Sequence, residues 1–553
     1  MIKKNYFLIF SIFLIISFSF LNPIHFNPWP SFLSEIIFFI GFLYLVFISK
    51  VIYIPKKTLF ILFLSIIPII QFLLGWVFYS SIAILGSIYI FCFWLSIVVS
   101  YNLVGEKNLF NQNNDILLMD LISYFYIFIC FLSSIIAIIQ WLNIPYSTQY
   151  ISGMVGNRPF ANLAQPNHLA TLISTGVIGC FYLYERKKLN SIILIFFTFI
   201  FLFVIALTQS RTTWLFVLVL IVFVLYKRKD FNFRLSVFLM LLWLGLFILF
   251  VLSIPSLSDF LSNYFNIIIG MGIVERATTG YLRFDIWNQA IHAIMEKPWF
   301  GYGWNQTSSA QYIMIERYPG KEWFSSAHNI ILDIFLWNGI ILGSLVILFF
   351  SISYLSSFIR NKKIDTIFSC FMLMPILVHC FLEYPFKYAY FLLPAGFFWG
   401  IMISEGDMLR YKIRSVYFKV IPILSFILLG YTFKEFSESI DNNLAANTYE
   451  MNERKDQFEL AYPVYILDEF RHRSQWFALY PYTKLDRNDL DEIKKMVSLH
   501  LTSYDLLKYA KILSYNGYRN EAISQLKILE ILYGKKYTYC DIVYNKELKH
   551  DEQ

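Results

Sequence analysis

The chain has 553 residues, of which 58% are hydrophobic, 20% aromatic and only 15% charged, with a formal net charge of +8. Soluble domains carry roughly 25% charged residues, so this composition excludes an ordinary water-soluble enzyme. The tail from Thr432 holds 17 Lys and Arg against 20 Asp and Glu, which leaves the basic excess in the apolar part. Membrane orientation accounts for that excess, and nucleic acid is not needed as a partner.

The first apolar run is Phe7 to Leu21. Lys3 and Lys4 precede it, as in a signal peptide, but Asn22, Pro23, Ile24 and His25 follow where a small-residue cleavage site belongs. It therefore reads as a retained first span. Similar runs recur, among them Phe60 to Leu74 and Ser191 to Leu207. A helix crosses a bilayer with roughly 17–25 apolar residues because lipid offers its amides no partner, and about thirteen segments qualify. The expected fold is an all-α, polytopic membrane protein.

Positive residues cluster at Lys3-Lys4, Lys50 with Lys56-Lys57, Arg186-Lys187-Lys188, Lys227-Arg228-Lys229, Lys362-Lys363 and Arg410 to Arg414. Each cluster lies an even number of spans from the first, so retention of positive charge inside puts the N-terminus in the cytoplasm. The outer connections are then Asn22 to Ser31, Asn143 to Asn167, the turn Thr208 to Thr212, a long loop from about Pro255 to Ala327, and Glu383 to Tyr388. An odd number of spans leaves the C-terminus outside as well. Three regions are expected: 1–207 with outer loop 143–167, 208–431 with the large loop 255–327, and a helical tail 432–553.

In the tail, Leu507 to Ala510, the turn Asn516-Gly517-Tyr518, and Ala522 to Gly534 read as helix, glycine turn, helix; the pattern resembles one tetratricopeptide copy, but a single copy favours a plain helical hairpin. Asp489-Leu490-Asp491 has the form of a metal-binding DxD, but its charged surroundings, Asp486 to Lys495, favour a solvated helix face. The six cysteines form no CxxC pair, and five lie in apolar stretches, so they read as small buried hydrophobes.

A transporter places charge deep in its spans. Here the spans are almost empty of charge, and polar residues gather at their outer ends, which suits a reaction at the membrane surface. Arg211 lies in the Thr208–Thr212 turn, Arg283 in Leu282-Arg283-Phe284-Asp285-Ile286-Trp287, and His328 in Ser326-Ala327-His328-Asn329, with Asp333 one turn further into the span. Guanidinium forks bind diphosphate oxygens and stay charged, while an imidazole accepts a proton near neutral pH. Each also fits a plainer role: Arg211 as an interfacial anchor, Arg283 paired with Asp285 or Glu275, His328 satisfied by backbone at a helix start. No HExxH motif or His/Cys cluster points to a metal, and no cofactor is expected.

Two further groups stand out. Gly156 to Ala170 contains Gln165-Pro166-Asn167-His168, where the proline prevents a helix from running on from Gln165. Glu383-Tyr384-Pro385 follows His379 and puts a carboxylate and a proline where the chain meets the membrane; Tyr388 and Tyr390 read as an interfacial aromatic belt. Gln165, Asn167, His168, Glu383 and Tyr384 are the candidates for positioning substrate or acceptor.

Together these segments resemble the bacterial protein O-oligosaccharyltransferases (PglL-like) of the O-antigen ligase and polymerase superfamily. Pro23 to Trp29, Glu35 and Gln71 are similar to its N-terminal region, and Gln165 to His168 to its most distinctive motif. Thr208 to Thr212, Arg283 to Trp287, Pro298 with Gly301-Tyr302-Gly303, and His328-Asn329 with Gly339 are similar to the shared ligase core, and Glu383 to Phe391 to the polymerase-type C-terminal region. The resemblance implies an oligosaccharide donor on undecaprenyl diphosphate and a serine or threonine acceptor on a pilin or other periplasmic protein. It implies en bloc transfer on the periplasmic face of the inner membrane without an obligatory metal. Arg211 and Arg283 would bind the diphosphate, His328 would be the catalytic base, and Gln165 and Tyr384 would be functional in the protein-glycosylating branch. An O-antigen ligase acting on lipid A-core shares the same core residues and stays open at this point, as does a lipid-linked sugar flippase.

Overall fold

The computed structural model describes residues 2–49, 51–105, 117–154, 156–163, 165–265, 267, 281–406, 409–454, 456 and 458–543. Lys50, Glu275, the stretch 268–280 of the long outer loop and the end of the tail, 544–553, lie outside the described residues.

The regular structure is helical apart from one pair of short strands. In chain order come α1 (Ile2–Leu21), α2 (Phe32–Ile48), β1 (Val51–Pro55), α3 (Leu59–Leu64), α4 (Ile67–Leu73), α5 (Ser80–Gly105), α6 (Leu118–Trp141), α7 (Pro166–Glu185), α8 (Ser191–Thr208), α9 (Arg211–Lys227) and α10 (Val237–Ser262). Then follow α11 (Tyr281–Glu296), α12 (Thr307–Met314), α13 (Ile330–Arg360), α14 (Ile364–Cys380), α15 (Ala389–Ile403), β2 (Arg410–Arg414) and α16 (Ser415–Met451). The tail adds α17 (Asp468–Ala478), α18 (Arg487–Leu499), α19 (Ser503–Tyr515) and α20 (Arg519–Tyr533).

Among the described residues, seven helices are long and apolar enough to cross a membrane, and Phe10–Leu21, Phe32–Ile48, Ile364–Cys380 and Ala389–Ile403 are shorter apolar helices. With α7 and α9, every expected span has its helix. The protein is an all-α, multi-pass membrane protein.

The long outer connection departs from expectation. Pro255 does not end α10, which runs on to Ser262, because one proline removes one backbone hydrogen bond without stopping a helix whose neighbours hold it. The connection is also not irregular throughout, since α11 and α12 lie in it. Arg283 is therefore a helical residue, and Arg211 is the first residue of α9 instead of a mid-turn residue.

The chain forms two compact units. The first comprises Met1–Phe63, Tyr89–Ala277 and Phe350–Ile427; the second comprises Leu64–Ile88, Thr278–Phe349 and Leu428–Gln553. They interleave along the chain because α5, α13 and α16 each contribute to both, and the expected boundary at 432 falls inside α16.

In the first unit the basic clusters at Lys56, Arg186, Lys227, Lys362-Lys363 and Arg410–Arg414 are each tied to neighbouring elements. β1 and β2 pair antiparallel, Val51 opposite Arg414 and Ile54 opposite Tyr411, which joins Lys56 to the Arg410–Arg414 cluster. Glu405 accepts from the amides of Lys362 and Lys363 at 3.0 and 3.1 Å. Lys227 donates to the Asn361 carbonyl at 2.8 Å, Tyr182 to Asp365 at 2.8 Å, and Arg186 pairs with Asp120 at 3.4 Å. The Cys92, Cys130, Cys180, Cys370 and Cys380 thiols are free and buried, as expected, and Cys540 is exposed.

In the second unit the tail helices close a core of Leu490, Val497, Leu501, Leu506, Tyr509 and Leu529, and Val77, Tyr79 and Ala83 belong to the same core. Ser308 donates to the Ser498 carbonyl at 3.0 Å and Gln525 to Tyr312 at 2.8 Å, so the tail packs on the outer loop. The expected hairpin is α19–α20, with Gly517 at φ +86° in its turn. Asp489 and Asp491 lie on α18, whose N-terminus Asp486 caps, and Asp491 pairs with Arg487 at 3.1 Å, as a solvated helix face requires.

Candidate active site

Around the connections 143–165 and 381–388 of the first unit, polar side chains hold irregular backbone. Lipid cannot satisfy such backbone, so protein groups must. Gln140 donates to the Ser152 and Ala161 carbonyls at 2.9 and 2.7 Å and accepts from the Phe160 and Ala161 amides. Asn162 donates to the Leu21 carbonyl at 2.6 Å. The buried Glu35 carboxylate accepts from Trp29, Ser31 and Tyr89 and from the Ala389 amide at 3.0 Å. These contacts fix where the candidate residues stand.

Gln165 is extended, at φ −148° and ψ 132°, and α7 begins at Pro166, as the sequence indicates. Asn167 donates to Glu383 at 3.4 Å and accepts from Arg158 at 3.2 Å. Arg158 also donates to the Thr208 carbonyl at 2.6 Å, three residues before Arg211. The Arg158 guanidinium thus joins its own loop to the end of α8, and Asn167 carries the connection on to Glu383. Sequence reasoning gave Arg158 no role; the available signal was a lone arginine in an otherwise uncharged loop.

His168 is 2% exposed and lies inside the bundle. Its ring packs 4.6 Å from Tyr388 and 5.1 Å from Phe391, and its Nδ1 lies 3.3 Å from the Tyr390 hydroxyl. Any effect of His168 on a substrate therefore passes through the helix it anchors. The belt reading of Tyr388 and Tyr390 is corrected for the same reason: Tyr390 is buried, and both rings pack on His168. Tyr384 stacks on Tyr388 at 6.4 Å, and the Lys387 ammonium lies 5.7 Å from the Tyr384 ring centre.

In the second unit, His328 precedes α13 with φ +52°. A left-handed backbone at a non-glycine residue persists only when its surroundings over-determine it. Asp333, fully buried one turn into the helix, does this. It accepts from the Ser326 hydroxyl at 2.5 Å, the Ala327 amide at 2.9 Å and the Thr307 hydroxyl at 2.8 Å. Trp337 in turn donates to Thr307 at 2.8 Å. Asn329 accepts from the Ile331 amide at 3.0 Å and so caps the helix start. Trp287 on α11 donates to the Ala327 carbonyl at 3.0 Å. Arg283 sits one helical turn before Trp287, and residues four apart share a helix face. The structure thus brings Arg283 and His328 onto adjoining elements of one unit, while Arg211, Gln165, Asn167, His168, Glu383 and Tyr384 belong to the other.

The Pro298–Gly303 and Gly339 segments prove to be one joint. Gly339 breaks α13 at φ +72° and ψ 178°, and Gly301 has φ +70°. The Ile340 amide donates to the Pro298 carbonyl and the Tyr302 amide to the Leu336 carbonyl, both at 2.7 Å. A Cβ on Gly339 would collide with the Trp299 carbonyl. Gln71 completes the joint, donating to the Trp337 carbonyl at 2.9 Å and accepting from the Trp304 amide at 2.8 Å. Among the described residues, no three His, Cys, Asp or Glu side chains stand where they would hold a metal ion together.

The chain is 34% identical over 539 residues to a general O-oligosaccharyltransferase of Acinetobacter baylyi (strain ATCC 33305 / BD413 / ADP1), covering 96% of this chain and 93% of the relative. It belongs to the O-oligosaccharyltransferase family. A ComP-specific O-oligosaccharyltransferase of the same strain is 30% identical over 413 residues, covering 73% of this chain and 72% of that one. Three family models map onto the clusters of this O-oligosaccharyltransferase family member. The protein glycosylation ligase model matches residues 159–184, which hold Gln165, Asn167 and His168. The O-antigen ligase model matches 196–378, with Arg211, Arg283 and His328. The model of the C-terminal part of virulence factor membrane-bound polymerases matches 368–491, with Glu383 and Tyr384.

Proposed function

We propose that this protein transfers an oligosaccharide en bloc from undecaprenyl diphosphate to serine or threonine hydroxyls of a pilin or other exported protein. The observation that carries the reading is the His328 loop: a histidine whose backbone is fixed by a buried carboxylate, next to a helix that bears an arginine. In the step, His328 takes the proton of the acceptor hydroxyl, and the hydroxyl oxygen bonds to the anomeric carbon. The bond from that carbon to the diphosphate oxygen breaks, inverting the carbon, and undecaprenyl diphosphate leaves with its charge held by Arg211 and Arg283. Guanidinium charge does the work a metal does in other transferases, so a chelator should leave the rate unchanged.

Gln165, Asn167, Glu383 and Tyr384 hold or approach substrate at the outer end, and His168 positions them from inside. The membrane is the bacterial inner membrane, with the N-terminus cytoplasmic and the site and tail periplasmic. The basic clusters of the first unit support that orientation. The exposed Cys540 thiol offers a direct check, since a membrane-impermeant maleimide should label it in intact spheroplasts.

Co-expression of the donor glycan with a candidate pilin, followed by intact-mass measurement, tests the transfer. The His328→Ala protein should insert and leave the pilin unmodified; full glycosylation by that variant sinks the assignment. A second reading, transfer to lipid A-core, is favoured by the O-antigen ligase match alone. Lipopolysaccharide carrying the glycan, with pilin unmodified, would decide for it.

A further inference from the structure

Helix α11 has two faces. Ile286, Ala290 and Ala293 are buried against the second unit, whereas Phe284, Ile291 and Met295 are 66%, 47% and 69% exposed. The exposed three follow each other at spacings of seven and four, so they lie along one face of the helix, with the exposed Asn288 between Phe284 and Ile291 on that face. The stripe does not stop at the helix end, because Trp299 and Phe300 are 64% and 63% exposed just beyond it.

Where that stripe lies relative to a bilayer follows from the glycine joint. The Pro298 carbonyl bonds the Ile340 amide and the Tyr302 amide bonds the Leu336 carbonyl, so Trp299 and Phe300 sit beside residues 336–340 of α13. Ile340, the first residue past the break at Gly339, stands about 30 Å along the helix from its charged end at Arg360, counting about 1.5 Å per residue. That is one hydrocarbon thickness, which puts both rings at the outer interface, where tryptophan and other amphipathic aromatics gather. The surface is continuous with a span, since the Phe300 ring lies 5.2 Å from that of Trp76, just past the exposed end of α4 at Leu73.

The geometry points to α11 as an interfacial helix, its Phe284–Ile291–Met295 stripe seated in the acyl and headgroup boundary of the outer leaflet. Polar residues flank the stripe. Asp285 and Glu296 lie towards water on one side, and Arg283 and Trp287 lie on the other, towards the His328 loop. The consequence for the reaction rests on the proposed function: a guanidinium on such a helix rides at the depth of the phosphates of any lipid-linked diphosphate in that leaflet. The donor is then captured by sliding within the leaflet, without leaving it.

The test uses the full chain in nanodiscs of phosphatidylethanolamine and phosphatidylglycerol, in a Cys540→Ser background. A nitroxide is placed in turn at Phe284→Cys, Ile291→Cys and Met295→Cys, with Glu296→Cys as the aqueous reference. Dissolved oxygen should relax the three stripe labels several-fold more than a water-soluble nickel complex does, with the order reversed at 296. Nickel accessibility at 291 and 295 equal to that at 296 would overturn the placement. So would exclusion of both reagents, which would mean that protein covers the stripe.

Rates separate this inference from the reading beneath it. Ile291→Asp combined with Met295→Asp should raise KM for the lipid-linked donor at least about fivefold with kcat retained. An unchanged KM counts against the helix's place. Wild-type turnover by Arg283→Ala removes only the role given to that arginine, because the accessibility pattern decides the helix's place by itself.

Discussion

In the first unit, Gln140, Asn162, Arg158 and Glu35 direct their polar atoms at carbonyls and amides of neighbouring loops, so that four separate connections stand as one hydrogen-bonded layer. Around His328 the arrangement is concentrated instead. One carboxylate, Asp333, takes three donors within seven residues of His328 or from the adjoining α12, and the backbone it holds is a strained one. Both are polar clusters at membrane-span ends, and composition alone does not tell them apart. The first satisfies backbone that lipid would leave unpaired; the second holds a single residue in a conformation that residue would not choose. The first cluster spreads its polar groups over many connections, and the second gathers them about one residue, the proposed base.

Experiments can break that contrast or sharpen it. The largest effect is expected at His328, the proposed base, where replacement by alanine should lower transfer by about 10²–10⁴-fold with insertion intact, read by acceptor mass. Next comes Asp333→Ala. Release of a left-handed residue forgoes about 1–3 kcal/mol of positioning, so kcat should fall about 10- to 100-fold while KM for the acceptor changes little. A loss confined to KM would erase the distinction between the two clusters.

Arg158→Lys keeps the charge but loses the fork that reaches Thr208 and Asn167 together, so Tm should fall while kcat/KM changes by less than about threefold, as a residue that braces loops requires. A drop of about tenfold in kcat/KM at unchanged Tm would move Arg158 out of the bracing cluster. The smallest effect is expected at Glu316. Burial opposes its ionisation, but hydrogen bonds from Ser524 and Lys527 outweigh that and hold its pKa below 4.5. A depressed folded pKa means stability that is full above the unfolded value and lost as the pH falls through the folded one. Glu316→Gln should therefore lower Tm modestly at pH 7, by an amount that shrinks below pH 4.5 and vanishes once wild-type Glu316 is protonated.

Much of this molecule was legible without coordinates, for local reasons. A bilayer demands runs of apolar residues, so each expected span has its helix, and Pro166 after Gln165 predicts where α7 starts. The hairpin turn at Gly517 and the solvated face bearing Asp489 and Asp491 follow from residues close in sequence. Pro255 misled because its effect on α10 depends on neighbours, not on itself. The belt reading of Tyr390 failed because its partner, His168, lies 222 residues away.

The sequence by itself determined the spans and the all-α, multi-pass class, because these depend on solvent and on runs of apolar residues that are local in the chain. Only tertiary structure decided which polar residues spread over many connections and which gather about His328. It alone showed that Gly301 and Gly339 meet, that Asp333 holds His328 at φ +52°, and that α11 keeps an apolar stripe uncovered. Each of those is a relation between segments that the chain brings together only on folding. A hydrogen bond or a close backbone approach has no local signature until both partners are in place.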